Sequence, residues 1–180
     1  MEERGMGALQ SARAGMIVNS LEIISYSAAQ TRKVGKMLGE LAAPGDVILL
    51  IGPLGIGKTC LAQGIAYSLA IEDYAMSPSF VLVREYQGRL PLYHIDFYRL
   101  DRIEEIAQLG LDDYLYGSGV CVIEWADKGL DTLPDEHLIV QMQYLAPTRR
   151  KITLVPKGPR YVEMLSQLRI ARQAIRNEML

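Results

Sequence analysis

A chain of 180 residues with 49% hydrophobic and 22% charged side chains holds one domain with its own core and is too short for two comfortable ones. Its net charge of −2 argues against a protein that coats nucleic acid by neutralising phosphates, and no apolar stretch approaches the ~18 residues that a membrane span needs. Cys60 and Cys121 lack metal-ligand spacing and read as small buried residues, and the N-terminal residues lack the apolar core of a signal peptide, so the cytoplasm is the expected compartment.

Residues 1–20 read as a disordered extension, with Met16 a possible start, and residues 21–180 as one domain. Residues 21–26 predict a short strand. Ser27 then caps a helix, with Gln30 three positions on to reach back, and that helix runs to about Leu41 before Pro44-Gly45 stops it. Residues 47–51 are all aliphatic, the mark of a strand buried on both faces. A glycine-rich turn follows, then a helix over 58–69. Residues 80–86 and 90–96 flank Gln87-Gly88-Arg89 and predict a hairpin. Short helical pieces fall at 103–109 and 111–116, and a second wholly apolar strand at 120–123. Residues 137–144 alternate less cleanly, and 152–155 read as a weak edge strand. Pro159 opens a helix of about twenty residues, in which Val162, Leu165, Leu168 and Ala171 recur at helical spacing. The pattern is that of an α/β domain with a mainly parallel sheet, flanking helices and an antiparallel hairpin portion.

Charge is divided unevenly along this chain. From Arg149 onward eight basic residues stand against two acidic ones, leaving eleven basic and nineteen acidic before it. A basic tail on an acidic body reads either as a docking surface or as a solvated helix face.

Gly52-Pro53-Leu54-Gly55-Ile56-Gly57-Lys58-Thr59 satisfies the phosphate-loop pattern G-x-x-x-x-G-K-S/T. Glycines at 52, 55 and 57 allow positive φ and let backbone N–H groups approach phosphate oxygens, while the following helix adds its positive N-terminal end. Lys58 can reach between the β- and γ-phosphates, and the Thr59 hydroxyl is placed to ligate Mg²⁺. The fixed positions coincide by accident in about one chain in a hundred or fewer of this length, and the buried strand before the loop and helix after it reduce that further. ATP with Mg²⁺ is the expected ligand.

A phosphate-loop enzyme also needs an acid at the end of a neighbouring apolar strand. Glu124, directly after Val120-Cys121-Val122-Ile123, is the better magnesium candidate, and Asp96, after Leu92-Tyr93-His94-Ile95, the better one to orient an attacking water, though the roles could be exchanged. Each could instead cap its own turn. His94 reads as a satisfied interior histidine. Trp125 either shields the phosphates from water or fills a gap. No Asn/Thr-Lys-x-Asp sequence is present to select guanine, and no arginine-rich lid lies between Leu69 and Glu124, where Arg99 is the lone candidate. Hydrolysis therefore outranks a small-molecule kinase, and both outrank a pure binding module.

Taken together, the loop 52–59, Ser77-Pro78-Ser79-Phe80, His94-Ile95-Asp96-Phe97-Tyr98-Arg99-Leu100 and Ile123-Glu124-Trp125 resemble the TsaE (YjeE) family in order and spacing over roughly residues 21–150. The resemblance implies a weak ATPase of bacterial tRNA threonylcarbamoyladenosine synthesis that associates with TsaB and TsaD, meets tRNA indirectly through that complex, and resets it between turnovers. Carried over by motif, Lys58 and the backbone of Gly55, Ile56, Gly57, Thr59 and Cys60 hold phosphates, Thr59 and Glu124 ligate Mg²⁺, and Asp96 assists hydrolysis. Ser77, Pro78, Ser79 and Phe80 form a nucleotide-sensing switch; Ala28 and Thr31 border adenine; Thr148 or Arg149 closes over the nucleotide. Three positions depart from the family pattern, Pro53 for Asp, Ile56 for Ala and Ser79 for Thr, and none removes a phosphate or metal group.

Overall fold

The aliphatic run Val47–Ile51 forms β2, with its first four residues buried, because a strand covered on both faces has no place for a polar side chain. In the computed structural model, which describes residues 20–72 and 82–178, with side chains to 173, β2 lies inside a seven-stranded sheet. The other strands are β1 (Leu21–Ser25), β3 (Val83–Tyr86), β4 (Leu92–Asp96), β5 (Val120–Glu124), β6 (His137–Ala146) and β7 (Arg149–Lys157). Their spatial order is β1-β7-β6-β2-β5-β4-β3. The four inner strands β6, β2, β5 and β4 run parallel. The flanks are antiparallel, β3 on β4 at one side and β7 with β1 on β6 at the other. The expected α/β architecture is present, with its parallel part confined to the centre.

Five helices accompany the described strands: α1 (Ala28–Glu40), α2 (Lys58–Ser68), α3 (Ile103–Ala107), α4 (Asp112–Leu115) and α5 (Pro159–Glu178). Ser27 caps α1 by accepting the Gln30 N–H at 3.2 Å, and the Gln30 carboxamide accepts from Tyr26 N–H at 2.8 Å, one residue earlier than a standard capping box. Helices α1 and α2 cross with almost no space between them. A Cβ on Gly35 would lie 2.0 Å from Leu61 O, and one on Gly64 2.0 Å from Arg32 O, so both crossing points require glycine. This contact fixes the helix that opens directly from the phosphate loop.

Two hydrophobic clusters fill the faces of the sheet. Ile48, Leu50, Leu92, Val120 and Val122 pack on the α2 side, and Leu49, Ile95, Cys121 and Ile123 pack on the other, which is the two-residue alternation of each strand. The C-terminal region departs from expectation in two ways. Residues 152–155 belong to a nine-residue strand that pairs on both sides, so β1, not β7, is the edge. The buried stripe of α5 is Tyr161, Met164, Leu165 and Leu168, while Val162 is 38% exposed and Ala171 is also exposed. Spacing alone left the rotation of this helix open, and the packing of Tyr161 settles it. Cys121 is buried as expected, whereas Cys60 is half-exposed. Among the described residues no helix is long and apolar enough to cross a membrane. The expected extension at 1–20, apart from Ser20, and the switch residues Ser77, Pro78, Ser79 and Phe80 lie outside the described residues.

Candidate functional site

At the C-terminal end of β2 the chain turns through Gly52, Gly55 and Gly57, with φ of 154°, 74° and 112°, into the first turn of α2. Gly52 is fixed by contact as well as by φ, since a Cβ there would lie 2.7 Å from Met142 O on β6. The loop therefore passes tightly under β6 and leaves its N–H groups and the N-terminus of α2 at the sheet edge, an arrangement suited to anions. Lys58 is only 4% exposed. Its Nζ donates to Gly52 O at 2.6 Å and Pro53 O at 3.0 Å, and it lies 3.7 Å from the centre of the Trp125 ring. Burial lowers the Lys58 pKa, and the carboxylates of Glu124, Asp96 and Asp127 oppose that shift without cancelling it.

Strand alternation and parallel register bring the acids to this loop. Leu50 on β2 is level with Glu124 on β5, and Glu124 is level with Asp96 on β4. Strand alternation puts Glu124 on the same face as Val122 and Asp96 on the same face as Leu92, the α2 side, so both carboxylates emerge beside its first turn. The Thr59 hydroxyl donates to Glu124, with Oε1 at 2.9 Å and Oε2 at 3.1 Å. Asp96, 2% exposed, accepts the Tyr98 N–H at 2.7 Å. Trp125 directly follows Glu124 with φ 57° and ψ 36°. A left-handed conformation costs a non-glycine residue on the order of 1 kcal/mol, and here it places the indole beneath Lys58 and against Tyr98, ring centres 5.0 Å apart.

These groups line a cleft of about 470 Å³ that includes Leu54, Lys58, Thr59, Asp96, Glu124 and Trp125. The hydroxyl of Thr59 and the carboxylate of Glu124 are hard oxygen donors, the type that Mg²⁺ takes. Among the described residues no cluster of three or more His, Cys, Asp or Glu forms a metal cage. This set therefore fits an ion that draws its remaining ligands from phosphate and water.

A second hollow of about 270 Å³ lies across the loop, lined by Ala28, Thr31, Ile56, Cys60 and Thr148 together with Arg150. The expected nucleotide contacts Ala28, Thr31, Cys60 and Thr148 thus meet in one place beside Gly55, Ile56 and Gly57 of the loop. Arg149 does not join them: its guanidinium lies 5.9 Å from the Tyr26 ring centre. The β7 alternation instead turns Arg150 inward, where it donates to Ile56 O at 3.2 Å and Pro147 O at 2.9 Å. His94 is the satisfied interior histidine that the sequence predicts, but its partner was not anticipated: Nε2 lies 2.9 Å from Glu124 Oε1. Its position two residues before Asp96 on a strand was the available signal, because residues i and i+2 share a face.

The TsaE family model, described as threonylcarbamoyl adenosine biosynthesis protein TsaE, matches residues 25–152. The chain is 40% identical over 134 residues to the tRNA threonylcarbamoyladenosine biosynthesis protein TsaE of Treponema pallidum, covering 74% of this chain and 99% of the relative. It is 42% identical over 139 residues to the protein of the same name from Bacillus subtilis, covering 77% and 86% respectively. The crystal structure of Bacillus subtilis YdiB superposes with a TM-score of 0.75 at 35% identity, over 85% of this chain and 96% of that one. A family model that spans residues 25–152, and relatives matched over 86% or more of their own length, show that the chain belongs to the TsaE family of threonylcarbamoyl adenosine biosynthesis proteins, with the phosphate-loop fold of that family.

Proposed function

We propose that this chain binds ATP with Mg²⁺ in the cleft and hydrolyses it in the cytoplasm as the ATPase of tRNA threonylcarbamoyladenosine synthesis, slowly alone and faster in complex with TsaB and TsaD. The observation that carries the reading is the Thr59 hydroxyl within 2.9 Å of the Glu124 carboxylate beside a buried lysine that begins the loop helix. That combination is the working core of phosphate-loop nucleotide hydrolysis.

In this reading the loop amides and Lys58 bind the phosphates, with phosphate oxygens taking the place of the Gly52 and Pro53 carbonyls as partners of Nζ. Thr59 can donate its proton to Glu124 while keeping oxygen lone pairs for the ion. Asp96, next to Glu124 in register, orients the attacking water and accepts its proton. Trp125 shields the phosphates from bulk water. When bound, Mg²⁺ offsets the charge that develops on the β- and γ-oxygens. Ala28, Thr31 and Thr148 border the base, and Arg150 closes the same hollow.

The decisive measurement is phosphate release from ATP and Mg²⁺ with and without purified TsaB–TsaD. Stimulation by the partners is expected, with Lys58→Ala nearly inactive and Glu124→Ala requiring more magnesium. Phosphate recovered on a metabolite instead would mark a small-molecule kinase, and persistent ATP binding with no turnover beside the partners would mark an ATP-loaded scaffold.

A further inference from the structure

His94 lies on β4 with apolar neighbours along its strand and on β5, while Arg84 on β3 is its other register partner and Asp96 follows it on the same face. Leu92 precedes it on the same face, and Val122 is its register partner on β5. The side chain is fully buried, and so is almost all of Glu124. A leucine would fill this position without carrying a polar group into the core, so a histidine here needs a polar partner. That partner is Glu124 Oε1, 2.9 Å from Nε2. A carboxylate only accepts, so Nε2 carries the proton and donates. The same Oε1 receives the Thr59 hydroxyl at 2.9 Å. A glutamate side chain has several rotatable bonds, and its two oxygens are interchangeable unless something holds one of them.

We propose that His94 is a positioning residue for Glu124: its Nε2–H holds one carboxylate oxygen from beneath, so that the carboxylate meets a magnesium ion beside Thr59 in a single orientation. The inference rests on the nucleotide reading above. It follows the general behaviour of groups that hydrogen-bond a metal ligand from behind, whose loss typically weakens metal affinity or activity by about 10- to 100-fold. His94 itself touches neither nucleotide nor ion.

The test is a magnesium titration of ATP binding by isothermal calorimetry, on wild type, His94→Phe and His94→Gln, with thermal melting of each. His94→Phe keeps the volume and loses the donor, and its half-saturating magnesium concentration is expected to rise by about tenfold or more. ATP affinity without magnesium should stay within about twofold of wild type, since a cation ligand set acts only when the cation is present. His94→Gln can place its amide near the old Nε2 position and should recover most of the loss. An unchanged magnesium requirement in His94→Phe overturns the proposal, as does equal impairment in His94→Gln and His94→Phe, because packing alone would then explain the histidine. Should His94→Phe fail to fold, His94→Asn replaces it: its shorter amide cannot reach Glu124, and equal magnesium requirements in the Asn and Gln variants would overturn the assignment. A wild-type protein whose ATP binding ignores magnesium overturns the parent reading as well, a result distinguishable from any of these.

Discussion

A buried carboxylate and a cation stand near each end of strand β2, and the two ends are built differently. At the N-terminal end Asp46, 3% exposed, receives Arg160 Nε at 3.0 Å, Arg160 Nη2 at 2.7 Å and the Ala43 N–H at 2.8 Å. At the C-terminal end Glu124, equally buried, faces Thr59 and His94, while the nearby cation Lys58 bonds to loop carbonyls. The proton affinities move in opposite directions. The Asp46 hydrogen bond raises the Arg160 pKa, whereas burial lowers that of Lys58 against the pull of three carboxylates. One end is a closed pair that ties α5 to the sheet; the other holds a cation whose burial is incompletely offset and that opens on a cleft. A buried charge is structural where its partners complete it, and a site where an anion could complete it.

Lys58→Ala is the strongest test of the C-terminal end. ATP turnover should fall by about a hundredfold or more, while the melting temperature holds or rises, because a buried charge is removed; a large loss of stability with normal turnover would break the distinction. Asp46→Ala should do the reverse. Losing one partner of a mostly buried pair costs about 3 kcal/mol, reduced somewhat because the Arg160 side chain is 31% exposed. For a chain of this size that lowers the melting temperature by roughly 6–10 °C, and ATP affinity should change less than about twofold, the sites being separate.

The hollow across the loop sharpens the comparison further. Arg150→Ala removes a side chain that touches Ile56 O, and ATP affinity should fall by about tenfold or less, near 1 kcal/mol for one hydrogen-bonding group. Arg149→Ala should leave it unchanged in the same binding assay, and the opposite ranking would restore Arg149 to the site. The smallest effect belongs to Tyr161, whose hydroxyl accepts the Val47 N–H at 2.7 Å. Burial raises its pKa to about 12 from the ordinary 10.0. The folded state thus holds this proton more tightly than the unfolded chain. The associated stability is complete below pH ~10 and is lost as pH rises through ~12. Denaturation followed across that window should show the decline in wild type and a flatter slope in Tyr161→Phe.

Much of this molecule follows from local pattern. The phosphate loop, the Ser27 cap, the aliphatic strands at 47–51 and 120–123 and the carboxylates ending two of the strands are all legible in the sequence, because turn chemistry, helix capping and full burial each leave marks within a few neighbouring residues. The sequence therefore determined the α/β class, the nucleotide loop and the pair of acids. Only the tertiary structure decided that β7 is internal, that Tyr161 rather than Val162 faces the core, that Arg150 and not Arg149 reaches the loop, and that His94 touches Glu124. Each of these depends on register, rotation or strand order, which are set by contacts between segments far apart in the chain, as Asp46 and Arg160 are; no local pattern carries them.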